Sequence, residues 1–203
     1  MHYPSFFEQA RKITVYDPLA ELLGAVEGGL IEYSYADAVK LAGHSCPTVA
    51  GAYLMTLKAL SSLYGDALPQ RGGIRVEFRN ALQSGVTGVI ANVVGLITGA
   101  TGDSGFKGIS GRFDRRNLLF FDVALEGEIR FRRTDSGASV TVGYHPDIVP
   151  PMPAVMRLMQ KVLGGAAEEA ERCEFATLWQ ERVRQILDLI DDPRLVTFGA
   201  RGD

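Results

Sequence analysis

Glu128-Ile129-Arg130-Phe131-Arg132-Arg133-Thr134-Asp135-Ser136-Gly137-Ala138-Ser139-Val140-Thr141-Val142-Gly143-Tyr144 decides the fold class. Its two halves, Glu128 to Arg133 and Ser139 to Tyr144, alternate apolar and polar residues as strands do. The turn-forming Thr134-Asp135-Ser136-Gly137 between them signals a hairpin. Upstream, Ile74, Val76 and Phe78 share one face of a further strand, with Arg75 and Glu77 on the other. Asn117 to Val123 reads as another strand.

Helices surround this strand-rich middle. Asp17-Pro18 opens one, with Asp17 as cap and Pro18 at the first position, and Gly28-Gly29 closes it. Ser34 and Asp37 form a capping-box pattern for a short helix through Leu41. From Pro47 to Gly65, the residues Val49, Tyr53, Leu54, Leu57, Leu60 and Leu63 recur at helical spacing. Val86 to Ile97 predicts an apolar helix with a stripe of Val86, Val89, Ile90, Val93, Val94 and Ile97. Pro150, Pro151 and Pro153 mark a break. Beyond it Phe175, Leu178, Trp179, Val183, Ile186, Leu187 and Ile190 keep helical register, Asp192-Pro193 ends the long helix, and Gly199 to Asp203 reads as a frayed tail. Helices, then strands, then helices again predict an α+β fold, with helices flanking a central mixed or antiparallel sheet. Residues 1–150 would form the core. Residues 151–203 would be a helical C-terminal extension packed on that core or on a dimer partner.

The chain has 203 residues, 46% of them apolar and 22% charged, enough for a substantial core and too apolar for general disorder. Lys and Arg number 21 against 24 Asp and Glu, a net charge of -3, which disfavours a protein built to bind polyanions. Arg112, Arg115, Arg116, Arg130, Arg132 and Arg133 cluster, but no RNA-binding motif accompanies them, so they read as a solvated or ion-paired face. The start Met1-His2-Tyr3-Pro4-Ser5 lacks a basic segment followed by an apolar run, and Gly85 to Gly99 is too short and glycine-broken to span a bilayer. The expectation is a cytoplasmic protein with no membrane or nucleic-acid partner.

Chemistry concentrates at Gly43-His44-Ser45-Cys46-Pro47. Pro47 starts a helix, so Cys46 sits at its N-cap, where free N–H groups and the positive dipole end favour a thiolate. In an extended His-x-Cys both side chains point the same way, and imidazole with thiolate suits zinc. Three readings are open on chemistry alone. His44 and Cys46 are metal ligands; or Cys46 is a small buried hydrophobe beside a hydrogen-bonded turn histidine; or the two form a catalytic dyad, which would need a third orienting group that the sequence does not identify. Glu77 and His145 are candidates for a third metal ligand. The glycine-rich Gly99 to Gly111 loop is a candidate ligand-lining segment through Thr101, Asp103 or Lys107, though it matches neither a dinucleotide fingerprint nor a Walker loop.

Gly43-His44-Ser45-Cys46-Pro47, followed by Gly51-Ala52-Tyr53, resembles the Gly-His-x-Cys-Pro opening of the FmdE-like family, which takes its name from a component of formylmethanofuran dehydrogenase. Thr98-Gly99-Ala100-Thr101-Gly102 is similar to that family's Thr-Gly-Cys-Thr-x-Gly segment. The likeness spans roughly Asp17 to Phe121. Ala100 replaces the cysteine of the second segment, Val89 and Asn92 stand in the family's Cys-x-x-Asp setting, and its C-terminal cysteine-rich module is absent. Only His44 and Cys46 carry over. The resemblance implies an α+β core, a homodimer, and zinc or another divalent transition metal in a small-molecule pocket. A metalloenzyme of unknown substrate, and a metal-free scaffold or accessory component of a redox or one-carbon enzyme complex, remain the alternatives. No catalytic residue is assigned.

Overall fold

The computed structural model describes residues 2–199, so most of the Gly199 to Asp203 tail lies outside the described residues. The fold is α+β, with two sheets. Helix α1 (Phe6–Gln9), strand β1 (Ile13–Tyr16), helix α2 (Pro18–Leu22), strand β2 (Leu30–Tyr33), helix α3 (Tyr35–Ala42) and helix α4 (Pro47–Tyr64) lead to strand β3 (Ile74–Phe78) and helix α5 (Thr87–Thr98). Strands β4 (Leu119–Phe120), β5 (Ile129–Arg133) and β6 (Ser139–Tyr144) follow, then helices α6 (Pro153–Leu163) and α7 (Glu169–Asp188) and strand β7 (Val196–Phe198).

The larger sheet has the order β4-β3-β5-β6-β7. It is mixed, because β3 and β4 are parallel while the other pairs are antiparallel. Its register stacks like with like: Val76 lies opposite Phe131, and Phe131 opposite Val140; Phe78 pairs with Ile129, and Ile129 with Val142. All six are buried. Each such side chain contributes about 1.5–3 kcal/mol by leaving water.

Helix α4 packs against β6 and is flanked by α3, α5 and α7. Its burial on nearly all sides follows from its composition, since Val49 to Leu57 are all buried. Pro47 starts it and Gly65 ends it. One close approach fixes its N-terminal turn against the sheet. A Cβ on Gly51 would lie 2.3 Å from the Tyr144 ring, and the Tyr144 hydroxyl donates to the Pro47 carbonyl at 2.8 Å. Glycine in mid-helix costs about 1 kcal/mol relative to alanine, and here it admits an aromatic ring.

Several expected boundaries shift. Helix α2 stops at Leu22, and a 3-10 turn at Glu27–Gly29 precedes β2. The ribbon β1–β2 was not anticipated; four residues per strand carry too little periodicity. Tyr16 ties this ribbon to the next segment, its N–H donating to Pro69 and its carbonyl accepting from Arg71. The strand expected over 117–123 shrinks to Leu119–Phe120, because Asn117 and Asp122 take positive φ of 55° and 58° on either side of it. Val86 leaves the expected stripe: it precedes α5 and is 52% exposed. The C-terminal segment is not wholly helical. Strand β7 pairs with β6, and Val183, Ile186, Leu187, Leu195 and Val196 join the same buried cluster as α4.

Candidate functional site

The linker between α3 and α4 is short and tightly held. Gly43 caps α3 in the left-handed conformation, φ 74°, the chain bends at His44, and an extended Cys46 is the N-cap of α4. The Cys46 sulfur accepts the Val49 N–H at 3.5 Å, as an N-cap group does. The His44 Nε2 lies 3.3 Å from that sulfur. On its far side, His44 Nδ1 is 2.9 Å from the Ala42 carbonyl. A carbonyl only accepts, so Nδ1 carries the proton and Nε2 of the neutral ring turns its lone pair to the thiol. The Ala42 carbonyl is thus the orienting group that the sequence does not identify. Cys46 is buried, 9% exposed, while His44 is exposed, so the pair opens to solvent through the imidazole.

Between them, Ser45 is the anchor. Its carbonyl accepts from Trp179 Nε1 at 3.0 Å and Gln180 Nε2 at 3.2 Å, both on α7, and its hydroxyl is 2.9 Å from the Tyr35 hydroxyl on α3. Burial raises the Tyr35 phenol, and likewise Tyr144, above the ordinary tyrosine range, which keeps both as neutral partners. Three elements, α3, α4 and α7, therefore hold residues 44–46, and Tyr144 of β6 holds Pro47 next to them. Sequence reasoning missed Tyr35, Tyr144, Trp179 and Gln180. Only Gly51, a glycine inside a strong helical pattern, signalled that a bulky group approaches there.

The other candidates lie elsewhere. Glu77 is 4% exposed, and it accepts from Arg75 Nε at 2.8 Å and Arg130 Nε at 2.5 Å. Burial opposes its charge, yet the Arg130 and Arg75 guanidiniums hold its carboxyl below the ordinary range. His145 bonds Thr197 through Nε2 at 3.0 Å. Among the described residues, no group of three His, Cys, Asp or Glu is placed to hold a metal, so the structure brings neither Glu77 nor His145 to the pair. Thr101 donates its hydroxyl to the Arg115 carbonyl at 2.6 Å, within the segment that joins α5 to β4, and Asp103 and Lys107 are exposed. The side-chain hydrogen bonds of His44 and Cys46 run to Ala42, Val49 and each other, not to that segment.

Four of the six clustered arginines pair: Arg115 with Asp17, Arg116 with Asp114, Arg130 with Glu77 and Arg133 with Asp135. No helix among the described residues is long and apolar enough to cross a membrane.

The hydrogen-bonded pair has a spacing that two donors of one metal could also take. In a tetrahedral zinc site with Zn–S of about 2.3 Å and Zn–N of about 2.0 Å, sulfur and nitrogen lie about 3.5 Å apart. The observed separation is 3.3 Å. Metal-bound histidines also commonly donate their second N–H to a carbonyl, as His44 does to Ala42. Compared with protein-family models and with curated proteins, the chain matches none.

Proposed function

We propose that His44 and Cys46 bind a divalent transition metal, zinc by the softness of the donor set, at a surface site whose other positions stay open to water or a small ligand. The observation that carries this reading is the sulfur–nitrogen spacing of 3.3 Å with the imidazole locked by Ala42. A bound metal would supply Lewis acidity. The chain's part is to present one thiolate and one neutral imidazole in a fixed geometry, through the clamps on Ser45. A two-donor site suits a labile metal or one completed across a homodimer, a dimer being what the FmdE-like resemblance implies.

One observation favours a second reading. The Ala42 carbonyl, the His44 ring and the Cys46 thiol form a relay in which Nε2 can take the thiol proton, leaving a nucleophilic sulfur at a helix N-terminus.

Metal content separates the two. Protein purified without chelator is measured by plasma mass spectrometry beside His44→Ala and Cys46→Ser, with circular dichroism to confirm folding. About one metal per chain, lost in both folded variants, supports the metal reading. A metal-free wild type that stays so after reconstitution with zinc or iron, but whose thiol alkylates faster than that of His44→Ala, supports the relay instead.

A further inference from the structure

A second polar centre lies where β1 leads into α2. Asp17 caps α2 through the Leu19 and Ala20 N–H groups at 2.9 and 3.2 Å. The same carboxylate accepts from Arg71 Nη1 at 3.0 Å and Arg115 Nη2 at 2.7 Å. The rest of the Arg71 fork is committed, since Nε and Nη2 both reach the Leu96 carbonyl at the end of α5. Arg115 is different. It is 5% exposed, and its Nη1 is buried with no acceptor among the described residues. The fold makes space for that nitrogen: a Cβ on Gly72 or on Gly99 would stand 2.5 Å from it. A charged N–H buried without an acceptor is destabilising.

Arg115 lines a cavity of about 440 Å³, together with Arg71, Arg112, Phe113, Pro18 and Asp114. That volume falls within the range of small-molecule sites, about 300–1,000 Å³. Arg112 is exposed, lies over the Phe113 ring at 4.8 Å and makes no ion pair among the described residues. The acidic groups nearby are already engaged. Asp114 is chelated by Arg116 at 2.6 and 3.0 Å, Asp17 by two guanidiniums, and Glu21 accepts from the Tyr16 hydroxyl at 2.5 Å. Counting Arg71, Arg112, Arg115 and Arg116 against Asp17, Glu21 and Asp114 leaves an excess of one positive charge.

We propose that this cavity binds a small molecule bearing an oxyanion, phosphate or carboxylate, which Arg112 and Arg115 hold while its apolar part rests on Phe113 and Pro18. Guanidinium forks match both anions in geometry and bond them strongly. The site shares no lining residue with the His44–Cys46 pair and stands independently of any metal there.

Titration calorimetry at fixed ionic strength tests this on the full chain, with inorganic phosphate, pyrophosphate and malonate as probes. Arg157→Ala serves as a control that removes the same charge from an exposed position on α6. Saturable binding of at least one probe is expected, at least tenfold weaker in Arg112→Ala and unchanged in Arg157→Ala. Preference for the phosphates or for malonate identifies the anion's source. Arg115→Lys, if folded, keeps the charge but loses the fork and weakens binding as well; if it does not fold, Arg112→Ala decides. No saturable binding of any probe, or equal affinity in wild type and Arg112→Ala, would overturn the proposal.

Discussion

Asp17 and Arg115 stand 98 residues apart in the chain, yet Arg115 Nη2 donates to Asp17 Oδ1 at 2.7 Å with both side chains almost wholly buried. Their ion pair joins the cap of α2 to the segment that leads from the glycine-rich loop into β4. Arg71, from the turn before β3, makes the third member.

Removing the shared carboxylate strands two guanidiniums. Asp17→Asn is expected to cost about 3–5 kcal/mol, the usual penalty for breaking a buried pair from one side. Urea denaturation measures it, and a loss under about 1 kcal/mol would contradict this role for Asp17. The pH dependence follows. Burial alone would raise the Asp17 pKa, but the Ala20 N–H, Arg71 and Arg115 outweigh it and hold the pKa below the ordinary aspartate value of about 3.9. Its stabilisation is therefore complete above about pH 4 and lost as pH falls through the lower folded value. In Asp17→Asn the stability curve should fall less steeply on that acid limb.

Gly51→Ala places a methyl group on the Tyr144 ring. Overpacking of this kind costs about 1–3 kcal/mol. The double variant Gly51→Ala, Tyr144→Leu should recover part of that loss, since the smaller side chain makes room. A cycle of thermal melts with no favourable coupling would place the conflict elsewhere.

Trp179 is the single tryptophan, and its indole N–H holds the Ser45 carbonyl. Trp179→Phe keeps an aromatic ring and loses that hydrogen bond, for about 1 kcal/mol of stability. Cobalt bound at His44 and Cys46 should quench the indole fluorescence of the wild type. Unchanged emission at full cobalt occupancy would argue against this location for the metal.

The two thiols differ in exposure, Cys46 buried and Cys173 exposed. In folded protein, Cys173 should alkylate first. Added zinc should slow iodoacetamide at Cys46 several-fold and leave Cys173 unaffected, a contrast that peptide mass mapping reads directly. Equal protection of both cysteines would point to a global effect rather than a metal on Cys46.

The sequence displays what is local. The Ser34–Asp37 capping box is present, with Ser34 N–H donating to Asp37 at 2.9 Å. Helix α4 and the β5–β6 hairpin follow from period and turn residues, and His44 and Cys46 fall side by side because they are two residues apart. What it hides is long-range. Strands β1, β2 and β7 owe their existence to partners elsewhere in the chain, and three or four residues show little pattern of their own. Glu77 reads as a polar-face residue open to a ligand, because nothing local says that Arg75 and Arg130 close over it. The same holds for the clamps on Ser45, which come from helices 10 and 134 residues away.

The larger sheet ends in β4 at one side and β7 at the other, two and three residues long. A long flat edge would offer a row of unpaired N–H and C=O groups to any extended chain, the route to fibrils and strand swapping. These stubs present too little ladder to template a sixth strand. A partner seated on either edge of this sheet would therefore gain little from backbone pairing, which accepts almost any sequence, and would be chosen by the shape and charge of side chains.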